Sequence, residues 1–499
     1  MIIIQKVTSW LSDAMNCISL PRRLDNHIEI APDCREAAIF CDFDRRKKSF
    51  HDFLGINHNI IFYVGVKAMD MRTLAQNAKQ AAILLSGISS EQKNKALEAI
   101  AERLNQNKED IFKANEQDVE RSLGENLAAP LIKRLRFDEK KLAEVLDGIK
   151  SLINLEDPVG KTLLSTELDE GLELFRVSCP IGLIGIIFES RPDALVQIST
   201  LCLKSGNAVL LKGGREASLT NHILLETIRA ATQEAGLPAN WINLMDTRDE
   251  VSEMLKLDES VDLIIPRGSN EFVRYIMDHS RIPVLGHADG ICHCYIDDGA
   301  DLLKAVEITV DSKTQYVAVC NALETLLVHE RIAPDFLPAL KKALDPKSVE
   351  LRGCDRARAI IPCHPVTEED WKTEYLDYIL SIKIVQSVDE AIKHINTYGS
   401  GHTDVIVSKN KDNIRNFMEY VDSGDVFANC STRFSDGFKY GFGAEVGIST
   451  NKIHARGPVG LEGLVTYKYK LIGDGHVVAD YAEKRKHFTH RPMNKDFEI

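Results

Sequence analysis

No stretch of this chain approaches the roughly 20 consecutive apolar residues that a membrane-spanning helix needs, so no membrane association is expected. The opening Met1-Ile2-Ile3-Ile4 is broken at once by Gln5 and Lys6. It falls short of the roughly 7 to 15 apolar residues at the heart of a secretory signal. Basic residues are outnumbered, 61 against 74 acidic ones, for a net charge of −13. That balance disfavours nucleic-acid binding, which rests on neutralising phosphates, but leaves room for a local basic pocket that takes an anionic substrate. There are eleven cysteines, yet the nearest pairs, Cys292 with Cys294 and Cys34 with Cys41, match no common zinc spacing, so no metal site is expected. Scattered single cysteines suit reduced thiols in a cytoplasmic enzyme. Also missing is a G-x-G-x-x-G run between a strand and a helix, which removes the ordinary dinucleotide fingerprint.

What is present is soluble globular composition, 44 % hydrophobic and 27 % charged over 499 residues. That length suits two or three domains of roughly 100 to 200 residues. Residues 1–68 share no period and assemble into no recognisable domain. They are expected to be an appendage, such as a mis-read upstream start, with a second start at Met69 or Met71 directly before helical sequence. Intact mass of the protein from its native host is the check.

From Met71 the pattern is helical. Ser89 with Gln92 forms a capping box, and Leu97, Ile100, Ala101 and Leu104 follow at i, i+3, i+4 and i+7. Leu163 to Val177, turning at Asp169-Glu170-Gly171, predicts a hairpin flap over 160–178 of the kind that stands off a domain and mediates assembly. Ile181 to Phe188 is a nearly unbroken apolar run, as for a strand buried on both faces, and Pro192 suits the first turn of the next helix. Strands at Ala208–Leu211 and Val261–Ile265 alternate with helices, which predicts a parallel sheet covered on both sides. Ligands of such sheets sit at the strand C-terminal ends. There lie the loops Glu189-Ser190-Arg191-Pro192, Lys212-Gly213-Gly214-Arg215-Glu216 and Arg267-Gly268-Ser269. Lys212 and Arg215 beside two glycines can grip a phosphate by charge and backbone N–H groups; a solvated surface lysine fits Lys212 equally well.

The alternation resumes with strands expected at Ala357–Ile361, Ile382–Val385, Asp404–Val407 and Val426–Asn429, and helices at Asp389–Asn396 and Asp412–Tyr420. Just before this second α/β unit, Cys320 sits where a polar loop runs into the β-prone Ala322–Val328. A thiol held at the head of a rigid strand is what nucleophilic chemistry needs, although a cysteine between Val319 and Asn321 is more often a small buried hydrophobe than a catalyst. Gly441 to Thr450 is glycine-dense and suits close approach of backbone to a ligand.

In this order, six segments resemble one family: Pro180 to Pro192, Leu211 to Glu216, Pro266 to Ser269, Gly286-His287-Ala288-Asp289-Gly290-Ile291-Cys292-His293, Val319-Cys320-Asn321, and Phe442 to Thr450. The chain from about Met71 onward resembles the γ-glutamyl phosphate reductases, or glutamate-5-semialdehyde dehydrogenases, of the aldehyde dehydrogenase superfamily; the leader is outside the match. The resemblance implies an α/β, aldehyde dehydrogenase-like fold: a cofactor-binding domain over 69–295, a catalytic domain over 296–463, and a C-terminal flap and tail over 464–499. It implies NADPH-dependent reduction of L-glutamyl 5-phosphate to the semialdehyde, the second step of proline synthesis, in a cytoplasmic homo-oligomer with glutamate 5-kinase as a candidate partner. Cys320 falls on the nucleophile and Ser190 on the oxyanion-binding position. Lys212 with Gly213, Gly214 and Arg215, then Gly268 and Ser269, then Glu374 fall on the cofactor's adenosine ribose, pyrophosphate and nicotinamide ribose. Arg191, Asn321 and Arg433 are candidates for substrate binding, with Arg267 a further cation near the anionic substrate. His287 lies where aldehyde-oxidising relatives carry a water-activating glutamate, a departure that favours reduction over hydrolysis of a thioester. The alternatives are another acylating aldehyde dehydrogenase, linked to CoA or to a different acyl phosphate, and a relative without catalysis.

Overall fold

The structure, a computed structural model, describes residues 70–189, 191–287 and 289–498. The leader, Ser190 and Ala288 fall outside the described residues. Five helices lie between Met71 and Asn154. The second, Ser90–Gln106, opens on the expected box: Gln92 N donates to Ser89 Oγ at 3.2 Å and Ser89 N to Gln92 Oε1 at 3.3 Å, an arrangement worth about 1 kcal/mol. Its stripe of Leu97, Ile100 and Leu104 is buried in the first core.

The flap comes next as β1 (Thr162–Asp169) and β2 (Leu172–Pro180), antiparallel, with Gly171 at φ +72° making the turn that a side chain would strain. After it come β3 (Leu183–Ile187), β4 (Ala208–Lys212), β5 (Ile242–Leu244) and β6 (Leu263–Pro266), a parallel sheet in the order β5-β4-β3-β6. Every residue of β3 is buried, as a doubly covered strand requires. The strand begins at Leu183 rather than Ile181 because Gly182 turns the chain at φ +132° and the Asp262 carboxylate accepts from Leu183 N at 2.8 Å.

A second sheet comprises β7 (Cys292–Ile296), β8 (Leu323–His329), β9 (Glu350–Gly353), β10 (His364–Pro365), β11 (Ile379–Val385), β12 (Thr403–Val407) and β13 (Asp425–Ala428). It is parallel throughout, in the order β10-β9-β11-β8-β7-β12-β13. Where a strand was expected at 357–361, the chain instead forms a helical turn, Asp355–Arg358, and then leaves regular structure. The two deeply buried apolar residues there, Ala357 and Ile361, are four apart, a helical spacing that a short apolar run conceals. Because β7 pairs with β8 and β12, the second unit starts by Cys292 and not at residue 296.

A short ribbon, β14 (Ile448–Ser449) with β15 (Gly457–Pro458), brings the chain back. Val446, Val459 and Leu461, at the end of the stretch expected to be catalytic, join the first core together with Leu464. Finally β16 (Val465–Ile472) pairs with β2 and β17 (Arg491–Pro492) with β1, so hairpin and C-terminal segment form one sheet, β16-β2-β1-β17.

Candidate active site

Cys320 lies in a turn closed by Ala322 N donating to Val319 O at 3.1 Å, directly ahead of β8, and is half-buried. The turn rests on the segment that leads into β7: a Cβ on Gly290 would stand 2.2 Å from Cys320 O and 2.4 Å from its Cα. Below it, Cys292 Sγ donates to Cys320 O at 3.2 Å. Asn321, expected to meet substrate, is turned inward. It is buried, its Nδ2 donates to Ser435 O at 2.7 Å, and its carbonyl accepts from Thr432 Oγ1 at 2.7 Å. A small amide here holds the nucleophile turn to the Ser431–Ser435 loop and leaves no donor facing the cleft.

Two histidines flank the thiol. His287 Nδ1 is 2.8 Å from Ile448 O, and since a carbonyl only accepts, Nδ1 carries the hydrogen. His402, fully buried, precedes β12, with Nδ1 2.7 Å from Thr403 Oγ1. The rings meet edge-on with centroids 4.9 Å apart. A ring nitrogen of each and Cys320 Sγ all lie within 4.8 Å of one another. The adjacency of β8, β7 and β12 makes this possible, since the cluster gathers at the N-terminal ends of those strands. Sequence reasoning missed His402 and Cys292; the one local signal for His402 was the glycine-dense Gly399-Ser400-Gly401 before it.

The cations converge on the same place. Arg267, at the C-terminal end of β6, is half-buried, and its guanidinium has no hydrogen-bond or ion-pair partner among the described residues. Burial lowers its pKa, opposed by the nearby Glu445 carboxylate, and both Arg191 and the Cys320 thiolate are within its electrostatic reach. Arg433 is likewise lowered by burial and raised by Cys320, and its Nε donates to Gln315 Oε1 at 3.0 Å. Arg191 is half-exposed and pairs with Asp193 at 3.4 Å. Arg191 and Arg267 line a cavity of about 470 Å³ together with Gln197, Asp436, Phe438 and Glu445. Glu445, given no role by the sequence reading, is pushed up by burial and accepts from Gly437 N at 2.8 Å. Ser190 lies outside the described residues, so its expected oxyanion contact is not seen.

At the C-terminal ends of β3, β4 and β6 a second group assembles. Lys212 is half-buried; burial lowers its pKa against the pull of Asp246, Glu216 and Glu250, and its Nζ donates to Gly213 O. Cβ atoms on Gly213 and Gly214 would lie 2.2 Å from Asn221 Nδ2 and 2.0 Å from Glu216 Oε1, so neighbouring side chains pack directly on this backbone and leave room only for glycine. Gly268 and Ser269 lead into the helix Asn270–His279. Asn270 Nδ2 donates to Glu374 Oε2 at 2.7 Å and to Asp289 Oδ1 at 2.8 Å, which ties the Glu374 segment to that helix start. Asp370 anchors the segment, accepting from Thr367 N at 2.6 Å, Tyr375 OH at 2.7 Å and Arg352 Nη1 at 2.6 Å. Arg215 stands apart, 86 % exposed and 3.6 Å from Glu125.

The aldehyde dehydrogenase family profile matches residues 56–356, beginning inside the leader. The γ-glutamyl phosphate reductase of Pelotomaculum thermopropionicum is 67 % identical over 431 residues, 86 % of this chain and 99 % of that protein. That of Acetivibrio thermocellus is 68 % identical over 431 residues, 86 % of this chain and all of its own length. This chain belongs to the γ-glutamyl phosphate reductase family. The crystal structure of a γ-glutamyl phosphate reductase from Thermotoga maritima superposes with a TM-score of 0.80 at 42 % identity, over 82 % of this chain and all of the other. The γ-glutamyl phosphate reductase family lies within the aldehyde dehydrogenases, whose enzymes work with a nicotinamide cofactor. The residues at the β4 and β6 ends fit such a group: two adjacent glycines, a half-buried lysine and a helix start are donors and charge that suit a pyrophosphate and ribose. Among the described residues no helix is long and apolar enough to cross a membrane.

Proposed function

We propose that the chain reduces L-glutamyl 5-phosphate to L-glutamate 5-semialdehyde and phosphate, with NADPH as reductant and Cys320 as nucleophile, in the second step of proline synthesis. The observation that carries this reading is a half-buried thiol at the head of β8 with two arginines, Arg267 and Arg433, in electrostatic reach. An acyl phosphate bearing an α-carboxylate is the kind of anion such a site attracts.

The Cys320 thiolate attacks the acyl carbon; the C–S bond forms and the bond to the phosphate oxygen breaks. Arg267, lacking a partner among the described residues, takes the phosphate, Arg433 offsets the charge at the thiolate, and Arg191 faces the α-carboxylate across the cavity. The Cys320 backbone N–H with Ser190 stabilises the oxyanion, a contribution of roughly 3 kcal/mol per donor. Phosphate leaves as a stable anion and needs no acid. When bound, the reduced nicotinamide supplies the hydride for the thioester carbon. Cys320 then departs as thiolate, releasing the semialdehyde. His287 stands where aldehyde-oxidising relatives carry a water-activating carboxylate; its ring is held at the Ile448 carbonyl and packed against His402, so that carboxylate is missing from beside the thioester.

For the cofactor, Lys212 reaches the adenosine ribose over Gly213 and Gly214, Gly268 and Ser269 take the pyrophosphate, and Glu374 the nicotinamide ribose. Arg215, exposed beside this loop, supplies charge for a 2′-phosphate and so a preference for NADPH. The oligomer forms through the flap, whose outer strand β16 exposes Tyr467, Tyr469 and Leu471. A glutamate 5-kinase supplies the labile acyl phosphate in the cytoplasm.

The test runs the reaction backwards: glutamate semialdehyde and NADP with and without phosphate, for the native chain and Cys320→Ser. Strict phosphate dependence in the native chain, absent in the variant, is expected. Dependence on CoA would replace the acyl-phosphate reading, cofactor binding without turnover would mark a relative without catalysis, and full turnover by Cys320→Ser would remove the nucleophile.

A further inference from the structure

The nucleophile's surroundings contain more than reduction requires. His402 Nε2 is buried and has no hydrogen-bond partner among the described residues, a condition that native proteins rarely leave without a use. His287 presents its remaining ring nitrogen as a bare lone pair, because Nδ1 is committed to the Ile448 carbonyl at 2.8 Å. These two rings and Cys320 Sγ offer three donor atoms mutually within 4.8 Å.

We infer that Cys320, His287 and His402 form a thiolate and bis-imidazole site for a borderline-soft divalent cation of the zinc type, and that its occupation reversibly silences the nucleophile. One sulfur and two nitrogens are a zinc donor set, and hard cations such as magnesium and calcium want oxygen. With Zn–S about 2.3 Å and Zn–N about 2.0 to 2.1 Å, tetrahedral ligand atoms stand about 3.3 to 3.6 Å apart. A ring rotation and an inward shift of about 1 Å therefore close the present arrangement. The Ile448 carbonyl behind His287 is the outer partner that a metal-bound imidazole ordinarily has, fixing its tautomer and orientation. Cys320 is half-buried, so the fourth position opens to the cleft and takes water. On binding, the thiol proton leaves to solvent and the sulfur lone pair enters the S–metal bond, so the thiolate is withdrawn from attack. The expectation that no metal binds rested on spacing along the chain, and residues 287, 320 and 402 meet only through strand order. The silencing rests on Cys320 being the nucleophile; the binding does not.

The experiment uses the full reduced, metal-free chain, titrated first with cobalt(II) and then with zinc(II). One cobalt per chain with a thiolate-to-cobalt charge-transfer band, displaced by zinc, is expected. Cys320→Ser should lose that band and His287→Ala should weaken binding by about tenfold or more. Both positions are half-buried, so both variants should keep the native circular dichroism, whereas buried His402 is the riskier change. Zinc should also slow alkylation of the Cys320 peptide by about tenfold or more, as mass spectrometry reads it, with full recovery on chelation. A band that persists in Cys320→Ser, or Cys320 alkylation indifferent to zinc, overturns the site. Loss of the band in a Cys320→Ser protein that still turns over would sink the nucleophile and leave the metal site standing.

Discussion

Replacing Gly290 by alanine tests how tightly the nucleophile turn is held. The new Cβ would stand 2.2 Å from Cys320 O, 2.4 Å from its Cα and 2.6 Å from its Cβ, where ordinary contact begins at 3.4 Å. The obstructing atoms are backbone and Cβ, which no rotamer change can move, so the turn or the Gly290 segment must retreat by about 1.2 Å, the difference between 3.4 Å and 2.2 Å. Overpacking of this kind costs roughly 1 to 3 kcal/mol of stability. A misplacement near 1 Å at a reacting group costs on the order of a hundredfold in rate. Gly290→Ala should therefore lower kcat by about two orders of magnitude. NADPH affinity, set by the loops after β4 and β6, should change by less than about threefold, roughly 0.7 kcal/mol. Steady-state kinetics, cofactor titration by fluorescence and urea unfolding read the three quantities. A variant with native kcat would show that the turn does not rest on Gly290 and would refute the reasoning.

The same geometry sets three further outcomes. Asp370 is depressed: burial would raise its pKa, but hydrogen bonds from Thr367, Tyr375 and Arg352 outweigh it. Its stabilising contribution is present above the unfolded carboxylate pKa near 4 and is lost as pH falls through the lower folded value. The native chain should thus lose more unfolding free energy than Asp370→Asn between about pH 5 and pH 3, and parallel profiles would contradict this. Lys313 and Glu324 form a fully buried pair at 2.6 Å; burial pushes Glu324 up to about 7 and Lys313 down, each partly restored by the other. Glu324→Ala, leaving Lys313 alone, should cost roughly 3 to 5 kcal/mol in urea unfolding, and the double replacement with Lys313→Met should recover most of it. Arg215→Ala should raise KM for NADPH with little change for NADH; an equal effect on both would remove Arg215 from the 2′-phosphate.

Much of this architecture was legible along the chain, and what was not has physical causes. The apolar runs of β3, β4 and β6 are buried on both faces and needed no partner to be recognised. The Ser89 box is local and is present in the fold as its residues imply. The helical turn at Asp355–Arg358 was misjudged because four residues carry too little period to separate helix from strand. β7 was missed because Cys-His-Cys-Tyr-Ile looks unlike a β-branched run. Its histidine is buried only because His293 Nδ1 meets Asp404 Oδ1 at 2.8 Å, a partner 111 residues away. The site divides the same way. Cys320, Lys212 and Arg267 sit at strand ends and could be found from alternation and motif. Asn321 has the right position but faces inward, and His402 reaches Cys320 only through the order β8-β7-β12. Rules placing ligands at strand C-terminal ends hold for the first sheet; in the second sheet the thiol cluster sits at the opposite ends.

The most direct test is to mix the full chain with L-glutamyl 5-phosphate in the absence of any nicotinamide, quench, and determine the mass of each cysteine-containing peptide. A single glutamyl group on the Cys320 peptide, missing in Cys320→Ser, is the predicted result. Acylation at another cysteine, or an unmodified chain that still consumes substrate once NADPH is added, would contradict it.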